Sequence, residues 1–187
     1  MFRKIGSFLV FCLVCFSAQA SNVMHGDQKN SLRLEATYDI TDRFSKTVFN
    51  FQFSYTQPNT FFRLEGRRAI HLLYISGTTK LLEPVAELRF YGVSENKNIS
   101  QFGVGITQEV AFWKAGGFYV GGGIGPYVKE HKNDFVNARF MFGVRGFAGY
   151  SFGDFNIELL FLHFSDGHLS ELNCGMNTFG LGVSYNF

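Results

Sequence analysis

The sequence predicts an all-β protein: an antiparallel transmembrane β-barrel of eight strands. Three observations carry that prediction. The chain holds 24 Phe, 8 Tyr and 21 Gly but only 3 Pro, which favours many short strands over helices. Segment after segment alternates apolar and polar residues, over the length that crosses an outer membrane. The polar face carries Glu and Arg together, with Glu35, Glu87, Glu109 and Glu158 beside Arg33, Arg89, Arg139 and Arg145. A soluble β-sandwich also alternates, with its aromatic face as core. Mixed charges on one face instead fit a narrow lumen filled by ion pairs, and aromatics near strand ends fit an interfacial girdle.

The chain opens with a segment expected to be removed. Arg3 and Lys4 form a basic start, Phe8 to Phe16 an apolar stretch, and Ala18-Gln19-Ala20 a small-x-small cleavage site. The apolar stretch is too short to span a bilayer. Val14, bulky before Cys15, disfavours a lipoprotein signal. Residues 1–20 are therefore expected to be a cleaved signal peptide and 21–187 the barrel. Cleavage removes Cys12 and Cys15, leaving Cys174 alone and no intramolecular disulfide. It also lowers Lys+Arg from 17 to 15 against 15 Asp+Glu, so the formal charge falls to zero. No basic tract points to nucleic acid.

From Ser21 to Asn30 the chain is polar and expected to be unpaired. Alternation begins with Leu32, Leu34, Ala36 and Tyr38, and continues in Phe49, Phe51, Phe53 and Tyr55. It recurs in Ala86, Leu88 and Phe90, in Phe102, Val104 and Ile106, and in Phe118, Val120 and Ile124, opposite Gly121, Gly123 and Gly125. Phe140, Phe142 and Val144 oppose Arg139 and Arg145, and Phe155 to Leu162 follow. The last strand sets Phe179, Leu181, Val183, Tyr185 and Phe187 against small and polar residues. Its aromatic end resembles the C-terminal signal of bacterial outer-membrane barrels.

Connections set the orientation. Asp166–Met176 is long, Ser151–Asp154 short, Lys129–Asp134 longer, Trp113–Gly117 short and Ser94–Asn98 moderate. Barrels of this kind have short periplasmic turns and longer external loops, so the end of the strand at 163–165 lies outside. Residues 59–79 alternate in part and would make a ninth strand. Eight is the expectation, with this region an extension or a hairpin outside the count. The external loops are expected to be short.

The chemistry is expected at His163-Phe164-Ser165-Asp166-Gly167-His168 and Asn173-Cys174-Gly175-Met176-Asn177. Residues i and i+2 of a strand share a face, so His163 and Ser165 project together with Phe161. An imidazole beside a hydroxyl is the minimum for a base activating a nucleophile. Asn177 has the parity of Phe179 and Leu181, so all three would face lipid. Bland readings stand beside this one. Ser165-Asp166-Gly167 is also ordinary turn chemistry. His163, Asp166, His168 and Cys174 match no zinc spacing, and no metal or cofactor is expected. The Gly121–Gly125 run lacks the Lys-Ser/Thr and the helix of a phosphate loop; close packing against a narrow lumen explains it.

These motifs resemble the outer-membrane lipid A 3-O-deacylase family, the PagL-like enzymes. The family pattern is roughly His-x-Ser-Asn-Gly/Ala-Gly, a short loop, Asn-x-Gly, a hydrophobic residue, then Glu or Asn. The likeness extends from about Phe118 to the end, through the Gly121–Gly125 strand and Phe140-Met141-Phe142-Gly143-Val144-Arg145-Gly146. It implies an eight-stranded barrel that hydrolyses an ester-linked acyl chain of lipid A, or lipopolysaccharide, in the outer leaflet among membrane lipids. It further implies Ser165 as nucleophile, His163 as general base and Asn177 in the orienting position. Asn173 and a backbone N–H near Gly167–His168 would stabilise the oxyanion. The chain departs from the pattern at Asp166 and His168, and at 177 it carries the Asn rather than the Glu of the best-known member. Asn cannot neutralise an imidazolium, so Glu171 and Asp166 are candidate stand-in acids. A homodimer is compatible with the reading. The alternative is a non-enzymatic outer-membrane barrel with a structural or interaction role. A palmitoyl-transferring barrel would hold an acyl chain in its lumen, which the charged lumen opposes.

Overall fold

A computed structural model describes residues 29–41, 47–61, 64–84, 91–132, 138–167, 169 and 175–187. The expected signal peptide therefore lies outside the described residues. The strands are β1 Ser31–Asp39, β2 Val48–Phe61, β3 Leu64–Pro84, β4 Tyr91–Ala115, β5 Phe118–Lys129, β6 Phe140–Phe152, β7 Phe155–Ser165 and β8 Met176–Asn186. Each pairs antiparallel with the next, and β1 pairs with β8, closing a barrel. Closure leaves no edge strand, which lets strands cross a bilayer with every backbone group paired. The sandwich is excluded, since a single sheet closes on itself. Two-residue turns at Gly116–Gly117 and Gly153–Asp154 lie on the side of the termini, where Phe187 donates its N–H to the Asn30 carbonyl at 2.9 Å. This is the periplasmic side.

Burial follows the alternation strictly in β1 and β7. Leu159 and Leu181 are register partners, 50% and 55% exposed on the outer wall, while Glu158, next to Leu159 in β7, is 0% exposed. Phe142 also faces out and Arg145 in. Glu87 and Arg89 lie outside the described residues. Aromatic side chains ring the periplasmic end, from Phe118 and Tyr150 through Phe152 and Phe155 to Tyr185 and Phe187. Such rings sit well where hydrocarbon gives way to headgroups.

The strand count holds, but its membership differs from expectation. Residues 59–61 end β2, and 64–84 are the third strand itself rather than an extension. Ala86–Phe90 falls in the segment between β3 and β4, outside the described residues. Ser94–Asn98 is no connection; it lies within β4. Beyond Gly77 the β2–β3 ladder ends, apart from the Thr78 N–H donated to the Thr47 carbonyl at 3.1 Å, and among the described residues 78–84 pair with 91–98. This two-stranded ribbon extends the barrel wall outward by about 20 Å at roughly 3.3 Å per residue. The external connections are therefore not all short. Past the membrane, neither face needs to be apolar, so the alternation that marks the other strands lapses here.

The lumen is layered. Arg33, Arg67 and Arg145 meet Glu35, Glu109 and Glu158 in one buried network. Arg67 belongs to it and Arg139 does not: Arg139 is exposed before β6 begins. Tyr119 donates to Glu158 at 2.8 Å. Toward the outer end His71 bridges Ser54 and Thr107, at 2.7 and 2.8 Å. Above it sits an apolar cap that includes Leu73, Tyr127, Leu162, Phe164 and Met176. The lumen is thus apolar as well as charged. Inward rings fill it where the neighbouring strand has no side chain: a Cβ at Gly121 would strike the Phe147 ring, and one at Gly143 or Gly105 the Tyr127 ring. Ring against glycine packs closely in a narrow barrel.

Candidate active site

The outer ends of β7 and β8 bring His163 and Asn177 into direct register as Cα partners. Facing residues of an antiparallel pair have Cβ atoms about 4.5–5.5 Å apart, so their side chains can meet. They do: His163 Nδ1 lies 2.7 Å from Asn177 Oδ1. A carboxamide oxygen only accepts, so Nδ1 carries the proton and donates it to this bond. The neutral ring then keeps its lone pair on Nε2. That is the nitrogen able to take a proton from a nucleophile.

Ser165 ends β7, two residues beyond His163 and on the same half-exposed outer face. Its register partner is Phe142, and that of His163 is Val144, so apolar side chains of the lipid-facing wall flank the pair. Among the described residues no hydrogen bond joins Ser165 Oγ to the ring; such contacts are commonly loose until substrate arrives. On the lumen side, Phe164 and Met176 are register partners within the apolar cap, directly behind His163 and Asn177.

Two glycines shape the surroundings. Gly167 (φ +64°) turns the chain just after Ser165, and Gly175 (φ +68°) turns it into β8. Both angles are left-handed, where a side chain strains the backbone. At Gly175 a Cβ would also stand 3.0 Å from His163 Cε1, so glycine there leaves the ring its place. Asp166 is fully buried, on the inward side of the alternation, whereas His163 and Ser165 face out. His168, Glu171, Asn173 and Cys174 lie outside the described residues. Among the described residues no group of three or more His, Cys, Asp or Glu is placed to hold a metal ion.

Nothing in the local sequence signals what holds Asn177 from its other side. Asn177 O accepts from the Ile40 N–H at 2.8 Å, and the Asn177 N–H donates to Thr41 Oγ1 at 2.9 Å. The Thr41 hydroxyl and N–H both donate to Asp39 Oδ1, at 2.7 and 3.0 Å. Asp39-Ile40-Thr41 reads locally as an ordinary strand end. Only closure of the first strand on the last brings it to the site.

A family model described as lipid A 3-O-deacylase (PagL) matches residues 30–186. No curated protein matches the chain. Among solved structures, the crystal structure of the outer membrane enzyme PagL is similar with a TM-score of 0.51 at 12% identity, covering 84% of this chain and 99% of that one. The outer membrane protein Ail of Yersinia pestis, solved in a phospholipid bilayer nanodisc, gives a TM-score of 0.42 at 11% identity over 86% of this chain and 100% of its own. At 12% identity the likeness to the PagL crystal structure is one of fold.

Proposed function

The chain belongs to the lipid A 3-O-deacylase family of outer-membrane enzymes, and from that premise we propose that it hydrolyses the ester-linked 3-O-acyl chain of lipid A by a serine mechanism. The observation that carries this reading is the 2.7 Å bond from His163 Nδ1 to Asn177 Oδ1, with Ser165 on the same lipid-facing wall at the outer rim. Substrate in the outer leaflet reaches this face without entering the lumen, which is filled.

In the proposed reaction His163 Nε2 takes the Ser165 proton as Oγ attacks the acyl carbonyl. The oxyanion is stabilised by Asn173 and by a backbone N–H at Gly167–His168, in a setting poor in water where such contacts are strong. As the tetrahedral intermediate collapses and the acyl C–O bond breaks, the imidazolium returns the proton to the departing sugar oxygen, leaving an acyl-Ser165. Water, activated by the same ring, then releases the fatty acid and frees Ser165. Asn177 holds the tautomer throughout but supplies no charge; Asp166, buried, and Glu171 remain the candidate acids. We further propose that residues 1–20 are a signal peptide, with Ser21 as the first residue of the mature chain.

Mass spectrometry of lipid A from cells with and without the gene tests the activity: one acyl chain fewer is expected in its presence, and unchanged lipid A would overturn the reading. Asn177→Glu is expected to keep or raise the rate by setting a negative charge behind the imidazole; an inactive but folded variant would remove Asn177 from the triad. Cys174→Ser is expected to keep full activity. If it abolished hydrolysis while Ser165→Ala did not, the nucleophile would be misassigned. The projecting β3–β4 ribbon favours a second reading, a surface offered to a partner outside the cell, which requires neither Ser165 nor His163.

A further inference from the structure

We infer that Thr41, anchored by Asp39, is a positioning residue that acts on His163 through Asn177; the inference rests on the serine mechanism proposed above. The regular β1–β8 ladder ends at the pair Asp39 and Thr178. One step further, at Asn177, its pattern changes. The carbonyl of Asn177 still takes a main-chain N–H, from Ile40, but its own N–H is satisfied by a side-chain hydroxyl. That hydroxyl is itself oriented. By donating to Asp39 Oδ1 at 2.7 Å, the Thr41 O–H turns an oxygen lone pair toward Asn177. Asp39 is 5% exposed and makes both bonds to Thr41 with one carboxylate oxygen, so the anchor is charge-assisted and sheltered from water.

The tie sits where it matters for the ring. Asn177 is the second residue of β8 and follows the left-handed Gly175, so it stands where a strand end would otherwise fray. Its carboxamide is neutral and holds the imidazole by a single hydrogen bond. A Glu in that position would be drawn to the ring by charge. An Asn is not, and depends on its backbone being held still. Thr41 fixes the N–H and Ile40 the carbonyl of that one residue, which leaves the side chain only its own rotamers. A shift of about 1 Å in a positioned group costs on the order of 10²-fold in rate.

The test uses the full-length barrel in micelles with purified lipid A. Thr41→Val removes the hydroxyl and keeps the shape. Its kcat is expected to fall between about tenfold and 10²-fold with KM unchanged, and Thr41→Ser is expected to restore it. In an Asn177→Ala background, Thr41→Val is expected to cost nothing more, because the group it positions is gone. Asp39→Asn is expected to fall between the parent and Thr41→Val. Proton NMR of the His163 ring gives a readout that does not depend on turnover: the Nδ1–H signal is expected in the parent and in Thr41→Ser, and lost in Thr41→Val. Full activity of Thr41→Val, an equal loss in the Asn177→Ala background, or failure of Ser to rescue would each overturn the inference. A parent protein that releases no acyl chain would overturn the deacylase reading instead, while the ring signal would still decide whether Thr41 holds Asn177.

Discussion

Ser165→Ala is expected to abolish deacylation, and His163→Ala to do the same, each by on the order of 10⁴-fold or more in kcat. Both variants are expected to fold. Their side chains project from the outer wall, contribute nothing to the lumen network or the apolar cap, and leave the ladder hydrogen bonds of β7 intact. Because nucleophile and base act as one unit, the double variant should lose little beyond either single one. Fatty-acid release from lipid A, followed by mass spectrometry, measures the loss; circular dichroism on the same samples checks the barrel. A folded Ser165→Ala protein that still deacylates would end the serine mechanism and leave family membership untouched. Residual activity only in His163→Ala would mean that another base, or water, takes the proton.

The placement of His163, Ser165 and Asn177 in the candidate site was legible in the sequence because two local rules fix it. Strand parity places His163 and Ser165 on one face, and a hairpin connection sets Asn177 opposite His163. The charged face was legible too, at Arg33, Glu35, Glu109, Arg145 and Glu158, since lipid outside forces charge inward. What failed did so for identifiable reasons. Residues 64–84 lacked clean alternation because the strand runs past the bilayer. Arg139 has the parity of a lumen residue but precedes the strand, so parity does not bind it. Inward aromatics such as Phe147 and Phe164 carry no distinguishing mark in a chain whose many other rings face lipid. A narrow lumen also needs bulk, and the glycines facing those rings were the available clue. Thr41 could not be found at all. It meets Asn177 across 136 residues of chain, through a pairing that exists only once the barrel closes.

Glu109→Ala is expected to cause the largest loss of stability of any single lumen substitution. Glu109 takes the Arg33 guanidinium at 2.6 and 2.9 Å, Arg67 Nε at 2.8 Å and Arg145 Nη1 at 2.9 Å, with all four side chains buried or nearly so. The network holds three arginines and three glutamates, so it is neutral as it stands. Removing Glu109 leaves three cations facing Glu35 and Glu158, with one positive charge uncompensated inside a wall that faces hydrocarbon. Breaking a buried ion pair from one side costs about 3–5 kcal/mol, chiefly through the charge left behind. The urea midpoint of the micelle-embedded barrel is therefore expected to fall well below that of the parent. Pairing the change with Arg145→Met, which withdraws a cation, is expected to recover a large part of the loss, since neutrality rather than any one contact sets the cost. His163 and Ser165 face the other side of the wall, so the folded fraction of Glu109→Ala is expected to keep its deacylase activity. An unchanged midpoint would mean that water reaches the network and screens it. Loss of activity in a fully folded variant would mean that the lumen charges and the outer site are coupled, against the separation that the apolar cap suggests.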